Sequence, residues 1–343
     1  MNKQVSENFP LWTLSAPGSP APANEKPGLP DPKDAYRVVA IGNFDGAHRG
    51  HAALVRTGRD LARQVAPGRP AELVALTFDP HPRQLFQPDQ PLFRLTAPED
   101  RSAMLAGIGF DAAAVIAFDR AFAGLSAEAF ITEILLGALG ADAVIVGEDF
   151  HFGQGRKGTP ALLVAEGARL GFAVRLVGPV RHDDGTIISS TAIREALAAG
   201  DIPRANAMLG RPYALSGPVI HGAKRGRELG YRTANLALVP GNRLAYGIYA
   251  VTAELDGEAL RGVASFGKRP QFDNGPPLLE VHLFDFSREI YGSRLAVAFH
   301  ARLRGEAKFD SLEALLAQMA RDCDAARAIL DTACRVLPQS GKA

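Results

Sequence analysis

From Tyr36 onward, short apolar runs alternate with stretches that carry apolar residues at helical spacing, and this alternation restricts the architecture more than any other property of the chain. The runs fall at 38–44, 73–78, 113–118, 143–146 and 173–177, and the helical stretches between them at about 48–65, 98–108, 126–139 and 159–170. Strands that are apolar at nearly every position need cover on both faces, which predicts an α/β domain with a parallel sheet between helices. Ser126 with Glu128, and Pro98-Glu99-Asp100, are helix-start signals. A further helical stretch, 190–209, breaks at Gly200-Asp201. Beyond Arg211-Pro212 the pattern changes to strand-like runs at 213–220, 248–255, 259–266, 278–286 and 294–303, separated by Gly- and Pro-bearing turns. These predict a small antiparallel β-barrel. In the closing helical stretch, 311–330, Leu312, Leu315, Leu316, Met319 and Cys323 share a face expected to pack on the barrel. Residues 15–34 are rich in Pro, Ala and Ser without apolar period. The expected organisation is a flexible arm over 1–35, an α/β domain over 36–210 and a barrel domain with a C-terminal helix over 211–343.

The chain has 343 residues, enough for two cores. Its 38 Lys and Arg against 37 Asp and Glu leave a net charge of +1, so no nucleic-acid partner is expected. Cys323 and Cys334 make neither a disulfide framework nor a four-ligand zinc site, which predicts a reducing, cytoplasmic setting. No run approaches the roughly 18–20 apolar residues of a membrane span, and Lys3 and Glu7 precede no apolar segment, so neither a span nor a signal peptide is expected. A monomer or weak homo-oligomer is anticipated.

Residues 41–51 read IGNFDGAHRGH. A strand ending near Phe44, a tight turn at Gly46 and a helix starting near His48 bring main-chain amides and a helix N-terminus beside two imidazoles. His48 and His51 are three apart and share one side of a helical turn. Gly50 between them lets an anion approach the backbone. A polyphosphate suits such a nest, with the imidazoles donating to oxygens that gain charge in a transition state. A histidine pair of this kind is also compatible with a purely structural role; its placement directly after the first strand of an α/β domain favours the chemical one.

The segment resembles the nucleotidylyltransferase superfamily signature His-x-Gly-His, and its longer form is similar to the flavin-nucleotide adenylyltransferase module of bacterial bifunctional riboflavin kinase/FAD synthetases. Agreeing segments follow in order: 77–82 (TFDPHP), 94–96 (RLT), Phe118-Asp119 through Leu125-Ser126, 147–153 (GEDFHFG) and 188–194 (ISSTAIR). The resemblance implies a Rossmann-like nucleotidylyltransferase fold. It implies catalytic roles for His48, His51 and Arg194. It implies nucleotide contacts from Gly42, Asn43, Phe44, Gly46, Gly50, Ser189, Ser190 and Thr191, and a flavin-side role for Asp149. Arg194 is a planar donor suited to phosphate, and Ser190 or Thr191 suits a helix cap. His151 stands where family members often carry Arg, and Asp79 where Glu is frequent. His81, between two prolines, suits loop shaping as well as substrate contact.

Residues 217–235 read GPVIHGAKRGRELGYRTAN, two Gly-basic clusters ahead of a Thr-Ala-Asn. Composition alone allows a solvated basic loop or a phosphate cover with oxygen ligands for a hard cation. The segment is similar to the riboflavin kinase motif. That implies nucleotide binding by Gly222, Lys224, Gly226, Arg227, Thr233 and Asn235, with Thr233 and Asn235 also ligating Mg²⁺. Arg232 stands where the family has Pro, and losing a fixed φ is expected to loosen 231–233. Segments 247–251, 264–270 and 279–286, then Lys308-Phe309, Ser311, Ala314 and Asp322, continue the kinase pattern. Glu280 is the one carboxylate in an apolar strand run, expensive in a dry core but allowed on an outward face. By resemblance it is the general base for the riboflavin 5′-hydroxyl.

The resulting expectation is a bifunctional enzyme that uses ATP and Mg²⁺ to make FMN from riboflavin and FAD from FMN, so that riboflavin, FMN, FAD and ATP are its partners. Two other readings fit the pattern: an adenylyltransferase with weakened or lost kinase activity, and a non-catalytic flavin-binding sensor or carrier.

Overall fold

The computed structural model describes residues 9–17, 35–90, 92–221, 231–238, 241–268 and 277–336. Two compact units divide the chain, one of residues 1–92 and 98–189, the other of 93–97 and 190–343.

In the first unit the order is β1 (Leu11–Leu14), β2 (Tyr36–Ile41), α1 (Arg49–Val65), β3 (Ala71–Asp79), α2 (Pro82–Phe86) and, after a 3-10 turn at Pro98–Asp100, α3 (Arg101–Gly107). Then come β4 (Ala112–Ala117), α4 (Arg120–Ala123), α5 (Ala127–Ala129), β5 (Ala143–Gly147), α6 (Pro160–Leu170) and β6 (Ala173–Val177). The six strands form one parallel sheet in the order β1-β4-β3-β2-β5-β6. Successive residues face opposite sides, so Val39, Ile41, Val74, Leu76 and Val144 join one core with Phe130 and Leu135. Val38, Ala40, Leu73, Ala75 and Ile145 join the other with Leu54, Leu61 and Phe110. Both faces are covered, as the unbroken apolar runs require. At the amino end of β2, buried Arg37 pairs with Glu72 at 2.7 Å and donates to the Leu139 carbonyl at 2.7 Å, fixing β2 against its neighbours.

Two features depart from the expectation. Residues 11–14 of the supposed arm form an edge strand parallel to β4, anchored by Trp12, which is only 7% exposed. Residues 1–8 and 18–34 lie outside the described residues. The stretch expected as one α-helix over 126–139 continues past α5 as a π-helix over Phe130–Ala138. Its five-residue spacing, seen in the Leu139 N–H bond to the Ile134 carbonyl, stacks Phe130 over Leu135 and Ile134 over Leu139 on the core side.

The second unit contains α7 (Ser190–Ala199), α8 (Ile202–Leu209), β7 (Tyr213–Ile220), β8 (Ala234–Leu236), β9 (Gly247–Leu255), β10 (Glu258–Gly267), β11 (Leu278–Leu283), β12 (Arg294–Arg304) and α9 (Leu312–Val336). The break expected at Gly200-Asp201 separates α7 from α8, with Asp201 capping α8 through the Arg204 N–H. The strands close an antiparallel barrel in the order β10-β11-β8-β7-β12-β9. Val251, Phe266, Leu279, Val281, Val297 and Phe299 are among its fully buried residues. Strand β8 has three residues, too few for a period-two pattern, and lay unseen inside the Thr-Ala-Asn motif. Helix α9 packs on β9, β10 and β12. Of the expected face Leu315, Leu316, Met319 and Cys323 are half-buried and only Leu312 is exposed, while the fully buried contacts, Ala326 and Leu330 beside Ile329, lie further toward the helix C-terminus. Arg304 grips Asp322 through Nε at 3.0 Å and Nη2 at 2.7 Å, locking the helix to β12.

Candidate active sites

In the first unit, β2 lies between β3 and β5, and the chain leaves it toward β3 and β4 on one side while β5 and β6 follow on the other. The carboxyl end of β2 is therefore a topological switch point, where open α/β sheets form their ligand crevice. Residues 42–48 emerge there. The Gly42 N–H donates to the Leu76 carbonyl at 3.1 Å, and Thr77 Oγ1 donates to the Asn43 carbonyl at 3.1 Å, tying the turn to β3. Phe44, Gly46 and Ala47 adopt φ of 50°, 85° and 40°. Two non-glycine residues in the left-handed region are strained, by about 1–3 kcal/mol each, and such strain gathers at functional turns. Its effect is visible: Phe44 turns inward against Phe110 and the His51 ring, at centroid distances of 5.1 and 5.0 Å.

His48 is the extended N-cap residue of α1 and His51 its third helical residue. The His48 N–H donates to His51 Nδ1 at 3.2 Å. A neutral His51 must then carry its proton on Nε2, so the far ring nitrogen is a donor. The rings stack with centroids 3.7 Å apart and planes at 17°. His48 is buried, at 7% exposed, and His51 is half-buried. No acidic residue occupies the first turn of α1, leaving its amide end favourable to an anion. A Cβ at position 50 would lie 3.0 Å from the His48 ring and 3.5 Å from the Ile188 carbonyl. Glycine at 50 thus makes room for the His48 ring, a reason the sequence did not disclose, and the 188–194 segment begins beside the turn.

Asp149 lies exposed in the turn after β5, at the same edge of the sheet. Its carbonyl meets His151 Nδ1 at 2.9 Å, and Phe150 and Phe152 stack beside it. His81 accepts from the Arg83 N–H at 3.1 Å and caps α2, which is the loop-shaping role. Asp79 pairs with Arg101 at 3.0 Å. In the second unit, Ser190 and Thr191 open α7, and Ser189 directly precedes it. Arg194 Nε donates to the Phe93 carbonyl at 2.6 Å, which aims the guanidinium.

In the barrel, β11 alternates between buried Leu279, Val281 and Leu283 and half-buried Glu280 and His282. Glu280 is therefore on the face away from the apolar interior. Register places it opposite Asn235 of β8 on one side and Ser265 of β10 on the other, making a polar row across three strands. Asn235 is 5% exposed. Thr233 stands two residues before it and lines a cleft with Val219, Arg232, Phe286, Arg288 and Tyr291. Asn235 and Glu280 do not line that cleft. The expected loosening at 231–233 is offset by two bonds: the Arg232 carbonyl to His282 Nδ1 at 2.9 Å, and Arg232 Nη1 to the Ser287 carbonyl at 3.2 Å. Neither Ser265 nor His282 stood out in the sequence, because cross-strand register is not written locally. Gly222, Lys224, Gly226 and Arg227 lie outside the described residues.

Thr233 and Asn235 offer neutral oxygen donors, the class Mg²⁺ accepts, and no group of three or more His, Cys, Asp or Glu suited to a metal occurs among the described residues. The fit is to a cation that arrives with the oxygens of a nucleotide. Also among the described residues, no helix is long and apolar enough to cross a membrane.

A family model for FAD synthetase matches residues 31–192, and one for riboflavin kinase matches 209–330. The bifunctional riboflavin kinase/FMN adenylyltransferase of Pseudomonas fluorescens is 42% identical over 293 residues, covering 85% of this chain and 92% of the relative. Its namesake in Escherichia coli K12 is 40% identical over 286 residues, 83% of this chain and 90% of the relative. The Bacillus subtilis protein of the same name is 36% identical over 300 residues, 84% and 91%. The crystal structure of a macrolide-efflux protein from Streptococcus pneumoniae superimposes with a TM-score of 0.76 at 31% identity, covering 92% of this chain and 98% of its own.

Proposed function

The chain belongs to the bifunctional riboflavin kinase/FMN adenylyltransferase family, and from that premise we propose how its residues divide the work. Riboflavin is phosphorylated by ATP to FMN in the barrel, and FMN is adenylylated by a second ATP to FAD, with release of pyrophosphate, in the α/β domain. The proposal takes 36–210 as the adenylyltransferase and 211–343 as the kinase, in a cytoplasmic setting.

In the kinase half, Glu280 takes the proton of the riboflavin 5′-hydroxyl as its oxygen attacks the γ-phosphorus and ADP leaves. Thr233 and Asn235 hold phosphate oxygens and the accompanying Mg²⁺, whose contribution is to neutralise charge on the phosphates. Gly222, Lys224, Gly226 and Arg227 form the phosphate cover in this proposal. In the adenylyltransferase half, an oxygen of the FMN phosphate attacks the α-phosphorus of ATP and the bond to pyrophosphate breaks. That nucleophile is already ionised, so alignment and charge stabilisation carry the rate. His48 and His51 donate to the phosphate oxygens from the end of α1. Ser189, Ser190, Thr191 and Arg194 bind phosphate, Gly42, Asn43, Phe44, Gly46 and Gly50 shape the turn, and Asp149 serves the flavin side.

The observation that carries the reading is the stacked His48–His51 pair, its donor nitrogen fixed by the His48 amide, at the switch point of a parallel sheet. The test supplies substrates separately. Riboflavin with ATP is expected to give FMN first and FAD later, and FMN with ATP to give FAD and pyrophosphate. FAD from FMN without FMN from riboflavin means a lost kinase; flavin binding with no ATP consumed means a carrier.

A further inference from the structure

Residues 231–233 belong to no helix or strand, yet one residue among them is held at both ends. The Arg232 carbonyl accepts a hydrogen bond from His282 Nδ1 of β11 at 2.9 Å, which fixes that ring's tautomer because a carbonyl only accepts. The Tyr231 ring sits edge-on to the same imidazole at 5.2 Å. At the other end, Arg232 Nη1 donates to the Ser287 carbonyl at 3.2 Å. Ser287 belongs to the connection between β11 and β12, and that connection is pinned independently at its far side. There the Gly292 N–H donates to the Val219 carbonyl at 2.9 Å, and the Tyr291 ring lies 3.9 Å from the His221 ring. Thr233 lines the cleft from the segment leading into β8, and Phe286, Arg288 and Tyr291 line it from the β11–β12 connection. The Arg232 side chain therefore spans from the wall that bears Thr233 to a wall already fixed to β7.

We propose that Arg232 is a positioning residue of the kinase half: by bridging the two walls it sets Thr233, and through Thr233 the nucleotide phosphates. This rests on the kinase reading above and extends it to a residue outside the motif's binding set. The bridge acts on where the nucleotide sits, while proton removal by Glu280 takes place on a different strand. Its removal accordingly weakens ATP binding and leaves the chemical step alone. The bridge needs one N–H on a flexible stem, so an ammonium in the same place substitutes for it in part.

The experiment uses the full chain with Arg232→Ala and Arg232→Lys, measuring KM for ATP, KM for riboflavin and kcat of FMN formation. FAD formation from FMN serves as the control activity. Arg232→Ala is expected to raise the ATP KM about five- to tenfold, with kcat and the riboflavin KM within about twofold, the signature of lost ground-state binding. Arg232→Lys is expected to recover at least half of that loss on a logarithmic scale. An ATP KM within about twofold of wild type in Arg232→Ala overturns the proposal. An equal rise in both KM values, or a fall of kcat in both variants, also overturns it, since each reports general loosening of the barrel. If the wild-type chain makes no FMN from riboflavin, the kinase reading falls and takes this proposal with it. If it does make FMN and Arg232→Ala behaves as wild type, the proposal falls alone.

Discussion

The His48–His51 turn and the Glu280 strand present their candidate catalytic groups by opposite means. In the turn, the groups are close in sequence, and their geometry comes from a strained loop, a helix start and a glycine that clears space for a ring. In the barrel, Asn235, Ser265 and Glu280 are far apart in sequence and meet only through strand register. A local motif can be moved as a unit but is sensitive to a single added methyl. A register-built site tolerates local change but depends on closure of the whole sheet. That closure is reinforced by the Arg304–Asp322 pair, which clamps α9 to β12.

Removing one group from each side tests whether the two effects stay separate. Glu280→Gln is expected to slow FMN formation about 10³-fold, in the range of general base catalysis, with FAD formation from FMN unchanged. His51→Ala is expected to do the reverse, slowing FAD formation about 10²-fold, as loss of one charge-stabilising donor does. Equal loss of both activities in either variant contradicts two independent chemistries. A finer test is Gly50→Ala, which adds a Cβ 3.0 Å from the His48 ring. Displacing that ring by a few tenths of an ångström is expected to cost about tenfold in FAD formation and nothing in FMN formation. Steady-state assays with riboflavin and FMN supplied separately read all three.

The smallest effect concerns the barrel's closure. His300 Nε2 lies 2.9 Å from Thr252 Oγ1, and burial holds the imidazole below its ordinary pKa of 6.5. The unfolded chain then binds the proton more readily, so His300 contributes stability above pH 6.5 that is lost as pH falls toward the depressed folded value. His300→Gln is expected to flatten the slope of barrel stability against pH below 6.5, measured by denaturant unfolding across that range. A slope identical to wild type removes His300 from the account.

Much of this was legible in the residues. The apolar runs predicted β2 to β6 to within a few residues, and turn signals predicted β7, β9, β10 and β12. Signals failed where they were short or overridden. Strand β1 follows from Trp12 finding a place beside β4, an event with no local period. Strand β8 is three residues long. Strand β11 stops at Leu283, and the expected run to 286 fails because Asp285 turns at a φ of 55°. On the candidate sites, the motif spacing indicated His48, His51 and Glu280, but Ser265, His282 and the Arg232 bridge had no sequence signal.

Residue order set periodicity and chemical type: where the apolar strands and most of the helices lie, and that two imidazoles share a helical turn. These are properties of neighbours along the backbone, set by dihedral geometry repeating every 2 or 3.6 residues. Tertiary structure alone decided that Glu280 faces Asn235 and Ser265, and that Arg232 reaches Ser287. Each of those depends on packing between segments whose separation no local period encodes.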